Sequence, residues 1–150
     1  MQIETSRFGQ IEVDSSRIIN LDQGLIGFPE ERRFCLLEDE RWGPLRWLQS
    51  VERPGLAFLV VNPYEFFADY EVIIEDGVAE DMALERPEDA AVLSLVSIQE
   101  EGDLTANLVG PLVVNSRTGR GVQLVLDREC YSTRHSLGKV ESNRRTGSAA

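Results

Sequence analysis

Short β-branched and apolar runs, each cut off by turn residues, restrict the fold of this chain more than any other feature. The runs fall at 2–5, 10–13, 17–21, 33–37, 45–49, 56–62, 71–75, 92–98, 104–109, 112–115 and 122–126. Between them stand Asp14-Ser15-Ser16, Gly27-Phe28-Pro29, Trp42-Gly43-Pro44, Pro54-Gly55, Asp76-Gly77 and Gly102-Asp103. These residue types make turns for separate reasons: glycine allows positive φ, proline presets φ, and aspartate bonds its own backbone. Many strands at this spacing predict an all-β fold, a compact antiparallel barrel or bent-sheet sandwich. Leu56 to Val61 is apolar at every position, so both its faces are covered and it is a central strand. The Ile11/Val13 and Ile18/Leu21 stretches are mixed and read as a half-exposed hairpin near an edge. Helix is confined to one or two short turns, at Pro87 to Ala91 and Pro63 to Phe67.

The strand reading is interrupted at 105-TANLVGPLVVNSRTGRGVQLVLD-127, where Gly110-Pro111 sits inside the first arm. Proline cannot donate to a ladder, so the strand bulges, bends or lies at an edge there. Asn107 and Asn115 flank the pair, and both are expected to cap backbone groups that the bend leaves unpaired. Gly119-Arg120-Gly121 precedes a strand and lacks the following Lys-Ser or Lys-Thr of a phosphate loop, so it reads as a glycine-rich hairpin turn.

A chain of 150 residues suits one domain with one core. The domain is expected over 1–135, with a small, polar and disordered tail over 136–150. No apolar run approaches a membrane span, and the N-terminus has no basic-then-apolar leader. A cytoplasmic protein, monomeric when unbound, is the resulting expectation. Cys35 and Cys130 are expected as buried thiols rather than a disulfide. Net charge is −11, and its distribution is uneven. Residues 132–150 carry +3, leaving −14 on 1–131 from 25 acidic and 11 basic groups. Such a body repels phosphate backbones and attracts basic proteins.

The chemistry of catalysis is poorly represented. The sole histidine, His135, and the sole lysine, Lys139, both fall near the tail, which removes Ser-His, Cys-His and Ser-Lys nucleophile schemes. No metal site or cofactor is expected. Carboxylates are plentiful at turns, where they are mostly solvated charge. Trp42 and Trp47, each preceded by an arginine, read as core anchors with arginines over their faces or paired with nearby acids.

Several stretches taken in order resemble the flagellar assembly factor FliW family. They are Phe8-Gly-Gln-Ile-Glu-Val13, Gly24-Leu-Ile-Gly-Phe-Pro29, Phe34-Cys-Leu-Leu37, Leu45-Arg-Trp-Leu-Gln-Ser50, Pro54-Gly-Leu-Ala-Phe58 with Asn62-Pro63, and Asn107-Leu-Val-Gly-Pro111 with Val114-Asn115. Gln123-Leu-Val-Leu126 and Tyr131 close the series, so the likeness covers about residues 1–137. The resemblance implies a mostly antiparallel β-barrel-like domain without catalytic activity. It also implies two protein partners, flagellin and the translational regulator CsrA. Flagellin that accumulates occupies the factor and frees CsrA to repress translation; once flagellin is secreted, the free factor captures CsrA.

The residues expected to meet partners are Phe66 and Phe67 for apolar contact, and Glu71, Glu75, Asp76, Glu100, Glu101 and Asp103 for a basic partner. Asn107, Pro111 and Asn115 complete the set, because they match the family pattern. Direct nucleic-acid or membrane binding is not expected. The competing readings are an acidic barrel that binds a small ligand, an oligonucleotide or a different basic protein, and a carboxylate-dependent enzyme.

Overall fold

The structure is a computed structural model that describes residues 1–127 and 129–139. A hairpin of β1 (Gln2–Thr5) and β2 (Gly9–Glu12) stands apart from the main sheet. The sheet contains β3 (Ile19–Leu21), β4 (Arg33–Glu38), β5 (Arg46–Ser50), β6 (Ala57–Val61), β7 (Ala90–Ile98), β8 (Asp103–Ala106), β9 (Leu112–Asn115), β10 (Arg120–Gln123) and β11 (His135–Lys139). Because β7 pairs with both β6 and β9, seven strands close in the order β7-β6-β5-β4-β3-β10-β9. Among the described residues all ladders are antiparallel except β3 with β10. The expected barrel is therefore the observed one.

Alternation along the strands sorts two cores. Leu21, Phe34, Leu48, Val60, Leu93 and Leu112 fill the barrel. On the outer face Leu45, Trp47, Leu59, Val61 and Leu104 pack beneath Phe8 and Trp42. Val60 thus faces inward while Leu59 and Val61 face outward, which is why the 56–61 run has no polar position. Trp42 meets Trp47 edge-on at 5.7 Å. The guanidinium over Trp47 is that of Arg7, 3.8 Å from the ring centre, whereas Arg41 and Arg46 face Asp39 and Glu38.

The bend is visible in the register. β7 pairs with β8 at Val96↔Ala106 and with β9 at Leu93↔Leu112. Two residues of β7 thus face five of the other strand, residues 107–111, and the extra three form the bulge. The strand turns a corner there: β8 goes on to pair with β11, and β9 with β10.

Several expectations need correction. Residues 71–75 form no strand: the segment finds no ladder partner, and the chain enters a helix, α1 (Asp76–Asp81), instead of turning. The 10–13 run pairs with β1 and not with 17–21, whose first residue, Arg17, ends a 3₁₀ turn (Ser15–Arg17) capped by Asp14. The tail begins later than 136, because β8 offers an edge that β11 occupies and Leu137 packs on the outer core. Residues 140–150 lie outside the described ones. Cys35 is buried and its thiol is pushed up by that burial, but Cys130 is exposed. The turns at Pro63–Glu65 and Pro87–Asp89 are both of 3₁₀ type.

Candidate partner-binding surface

The bulge is built so that its polar groups are satisfied within the chain. Asn107 Oδ1 accepts from the amides of Val109 and Gly110 at 3.0 and 2.9 Å. The Asn107 amide donates to Leu95 and that of Leu108 to Ser132. The carbonyl of Leu108 accepts from the buried Tyr70 hydroxyl at 2.7 Å, and that of Gly110 from Gln123 Nε2 at 2.9 Å. Leu126 and Leu124 donate to Val109 and Pro111, carrying the β9–β10 register past the end of the strand. Burial foremost, and then the neighbouring Tyr64 and Tyr131 phenols, push the Tyr70 phenol above its ordinary value and keep it a donor.

Asn115 does similar work on the far side. It is fully buried, donates to the carbonyls of Met82 and Ala83 at 2.8 and 3.2 Å, and accepts from the Arg117 amide. It thereby closes the C-terminal end of α1, where Ala83 takes a positive φ of 54°. Arg117 and Arg120 donate to the carbonyls of Ala83 and Asp81, placing cations where the helix dipole favours them. Both asparagines therefore cap backbone groups. Pro111 and Asn115 are buried and offer no surface to a partner in this conformation.

The remaining sequence candidates separate into groups. Phe66 is 38% exposed, whereas Phe67 packs into the cluster around Tyr70, Ala106 and Leu108 and meets the His135 ring at 5.6 Å. Glu71, Glu75 and Asp76 are exposed on the segment that leads into α1, and the Glu71 amide donates to the Tyr131 hydroxyl. Glu100 and Glu101 are exposed and Asp103 half-buried at the β7–β8 turn. The acidic groups thus fall in two separate stretches, 71–76 and 100–103.

A surface that sequence reasoning passed over lies beside the bulge. The stretch 24-GLIGFP-29 forms a tight turn in which Leu25 and Phe28 exchange backbone bonds. Gly27 has φ 90°, as the third position of a type II turn requires. Gly24 has φ 67°, and a Cβ there would sit 2.5 Å from the Phe28 oxygen. The turn presents Ile26 at 63% exposure and Phe28 at 37%. Phe28 stands edge-on to Phe58 at 5.2 Å. Together with Leu95 and Asn107 these side chains line a groove of about 340 Å³. Gln123 ties the groove to the bulge, since its Oε1 accepts from the Ile26 amide at 2.8 Å while its Nε2 holds Gly110. Two exposed apolar residues inside a glycine-bounded turn were the available signal. Turn tips are ordinarily polar, so the apolar pair reads as contact surface.

The sequence matches the profile of the FliW protein family over residues 2–137. This chain belongs to the FliW family. It is 40% identical to the flagellar assembly factor FliW of Magnetococcus marinus over 139 residues, covering 91% of this chain and 85% of that one. The corresponding protein of Natranaerobius thermophilus is 37% identical over 152 residues, covering 98% and 99%. A crystal structure of a flagellar assembly factor FliW superposes with a TM-score of 0.84 at 34% identity, covering 92% of this chain and 97% of that one. FliW proteins are flagellar assembly factors and not enzymes, which places this chain in flagellar assembly. No helix among the described residues is long and apolar enough to cross a membrane.

Proposed function

We propose that this FliW-family protein binds flagellin in the cytoplasm and antagonises the translational regulator CsrA, so that flagellin synthesis follows filament assembly. The observation that carries the reading is the Ile26–Phe28 turn, two large apolar side chains held out beside an apolar groove on an acidic body. An amphipathic helix of unassembled flagellin would lay its apolar face along such a groove. CsrA binds RNA through basic surfaces, and the −14 carried by residues 1–131 is the complementary charge. The exposed acids at 71–76 and 100–101 are among the groups that offer it.

Immobilised full-length protein, offered purified flagellin and CsrA singly and in competition, tests the reading. Retention of each alone and displacement of CsrA by flagellin is the expected result. Ile26→Asp is expected to release flagellin while CsrA is kept. Retention of neither partner ends the reading.

A further inference from the structure

The end of the barrel away from the Ile26 groove is notched. β3 meets β4 only at Ile19↔Phe34 and Asn20↔Arg33, whereas β4 runs on to Glu38. Past Phe34 that side of β4 has no barrel strand beside it, and a cavity of about 540 Å³ opens there. Small barrels normally fill their interior with side chains, so a space of this size at the mouth is a departure from packing. It lies within the roughly 300–1,000 Å³ of small-molecule sites.

The lining has two halves. Ile19, Leu36, Leu93 and Val114 belong to the barrel core and supply apolar walls. Arg17 and Arg46 are exposed and border the same space. Glu38 also borders it, but its side chain is 80% exposed and stands 3.9 Å from Arg46, too far for a hydrogen bond. On a body of −14, two guanidiniums against the one carboxylate of Glu38, beside apolar walls, favour an anionic group with a hydrocarbon body.

We propose that this notch binds a small amphipathic carboxylate, its tail against the four core side chains and its carboxylate between Arg17 and Arg46. The site lies at the opposite end of the barrel from the groove and does not depend on what the groove binds. Calorimetric titration of the full chain with octanoate, with 1-octanol as the uncharged control, tests it. One-to-one binding of octanoate and weaker binding of octanol are expected. Arg17→Ala and Arg46→Ala should each weaken octanoate by roughly fivefold, the scale of one exposed ion pair. Ala91→Trp, at an exposed position on the cavity wall, should abolish binding without lowering the melting temperature. If that variant folds poorly, the double arginine variant carries the test. Absence of heat up to roughly 10 mM octanoate, above the millimolar range of the weakest useful sites, overturns the proposal. So does binding that the arginine and tryptophan variants leave unchanged, or equal binding of octanol. A notch that rejects octanoate but whose blocking releases flagellin or CsrA is a protein contact, and that result overturns it as well.

Discussion

Gln123 holds Gly110 through a 2.9 Å hydrogen bond from its Nε2, and its other amide atom takes the Ile26 backbone at 2.8 Å. One side chain thus fixes both the bulge and the turn that carries the exposed apolar pair. Gly110 is confined in return, since an added Cβ would lie 3.0 Å from Gln123 Nε2.

Gln123→Ala removes both bonds and leaves a half-buried carbonyl unpaired. A loss of about 1–2 kcal/mol in urea unfolding is expected. Flagellin affinity should fall further than that loss explains, because the Ile26 turn is no longer oriented. Gln123→Glu keeps the acceptor for Ile26 and loses the donor to Gly110. It should therefore retain more flagellin binding than stability, and titration calorimetry beside urea melts separates the two effects.

Much of this was legible in the chain, and the gaps have physical causes. Strand positions follow from side-chain alternation, and the Gly110-Pro111 bend follows from a missing donor; both are local. Closure is not local, because it depends on β7 taking β9 as well as β6 and on the parallel meeting of β3 with β10. Val72 and Ile74 alternate as a strand would, but Val72 packs against the cluster of Tyr70, Ala106 and Leu108 and residues 71–75 stay outside the sheet. His135 to Lys139 is polar and contains Gly138, yet it pairs because the β8 edge stands open. The groove was hidden because its members, Ile26, Phe58, Leu95 and Asn107, come from four separate stretches.

Asn115→Ala should be the more damaging asparagine substitution. It strips the Met82 carbonyl and the Arg117 amide of their partner and leaves the Ala83 carbonyl to Arg117 alone, all around a fully buried side chain, a loss of about 3 kcal/mol. For a chain of this size the melting temperature should fall by roughly 6–12 °C in calorimetry. Asn107→Ala is half-buried and should cost about 1–2 kcal/mol. Asn107→Asp, which keeps the acceptor for Val109 and Gly110, should recover most of that. A stable Asn107→Ala variant that has lost flagellin would make Asn107 a contact residue.

Asp89 gives the acid limb of stability a specific source. Burial pushes its carboxyl up, but the amides of Glu85 and Arg86 and the Arg117 guanidinium outweigh that and hold it below the usual carboxylate range. A folded-state value below the unfolded one means the stabilisation is fully present above the unfolded value, near 3.9. It is lost as pH falls through the lower folded value. Asp89→Asn should therefore be less stable than the parent at pH 7 and should lose less on acidification. Urea midpoints measured from pH 7 to pH 2.5 check this, and parallel curves would assign the acid limb elsewhere.

Salt should separate the two proposed partners. Contacts that depend on exposed charge weaken as the Debye length contracts from about 10 Å at 0.1 M to about 3 Å at 1 M. Apolar burial at the Ile26 groove has no such dependence and is strengthened by some salts. The CsrA dissociation constant should accordingly rise steeply between 0.05 and 0.5 M sodium chloride (roughly tenfold for a steered, charge-rich interface), while that of flagellin changes little. Charge reversal at Glu100 and Glu101 together should flatten the CsrA dependence if the β7–β8 turn is the contact, and reversal at Glu71 and Glu75 if the segment before α1 is. The loop whose reversal removes the salt dependence is the one that meets CsrA, and equal salt dependence for both partners would place flagellin on the acidic surface too.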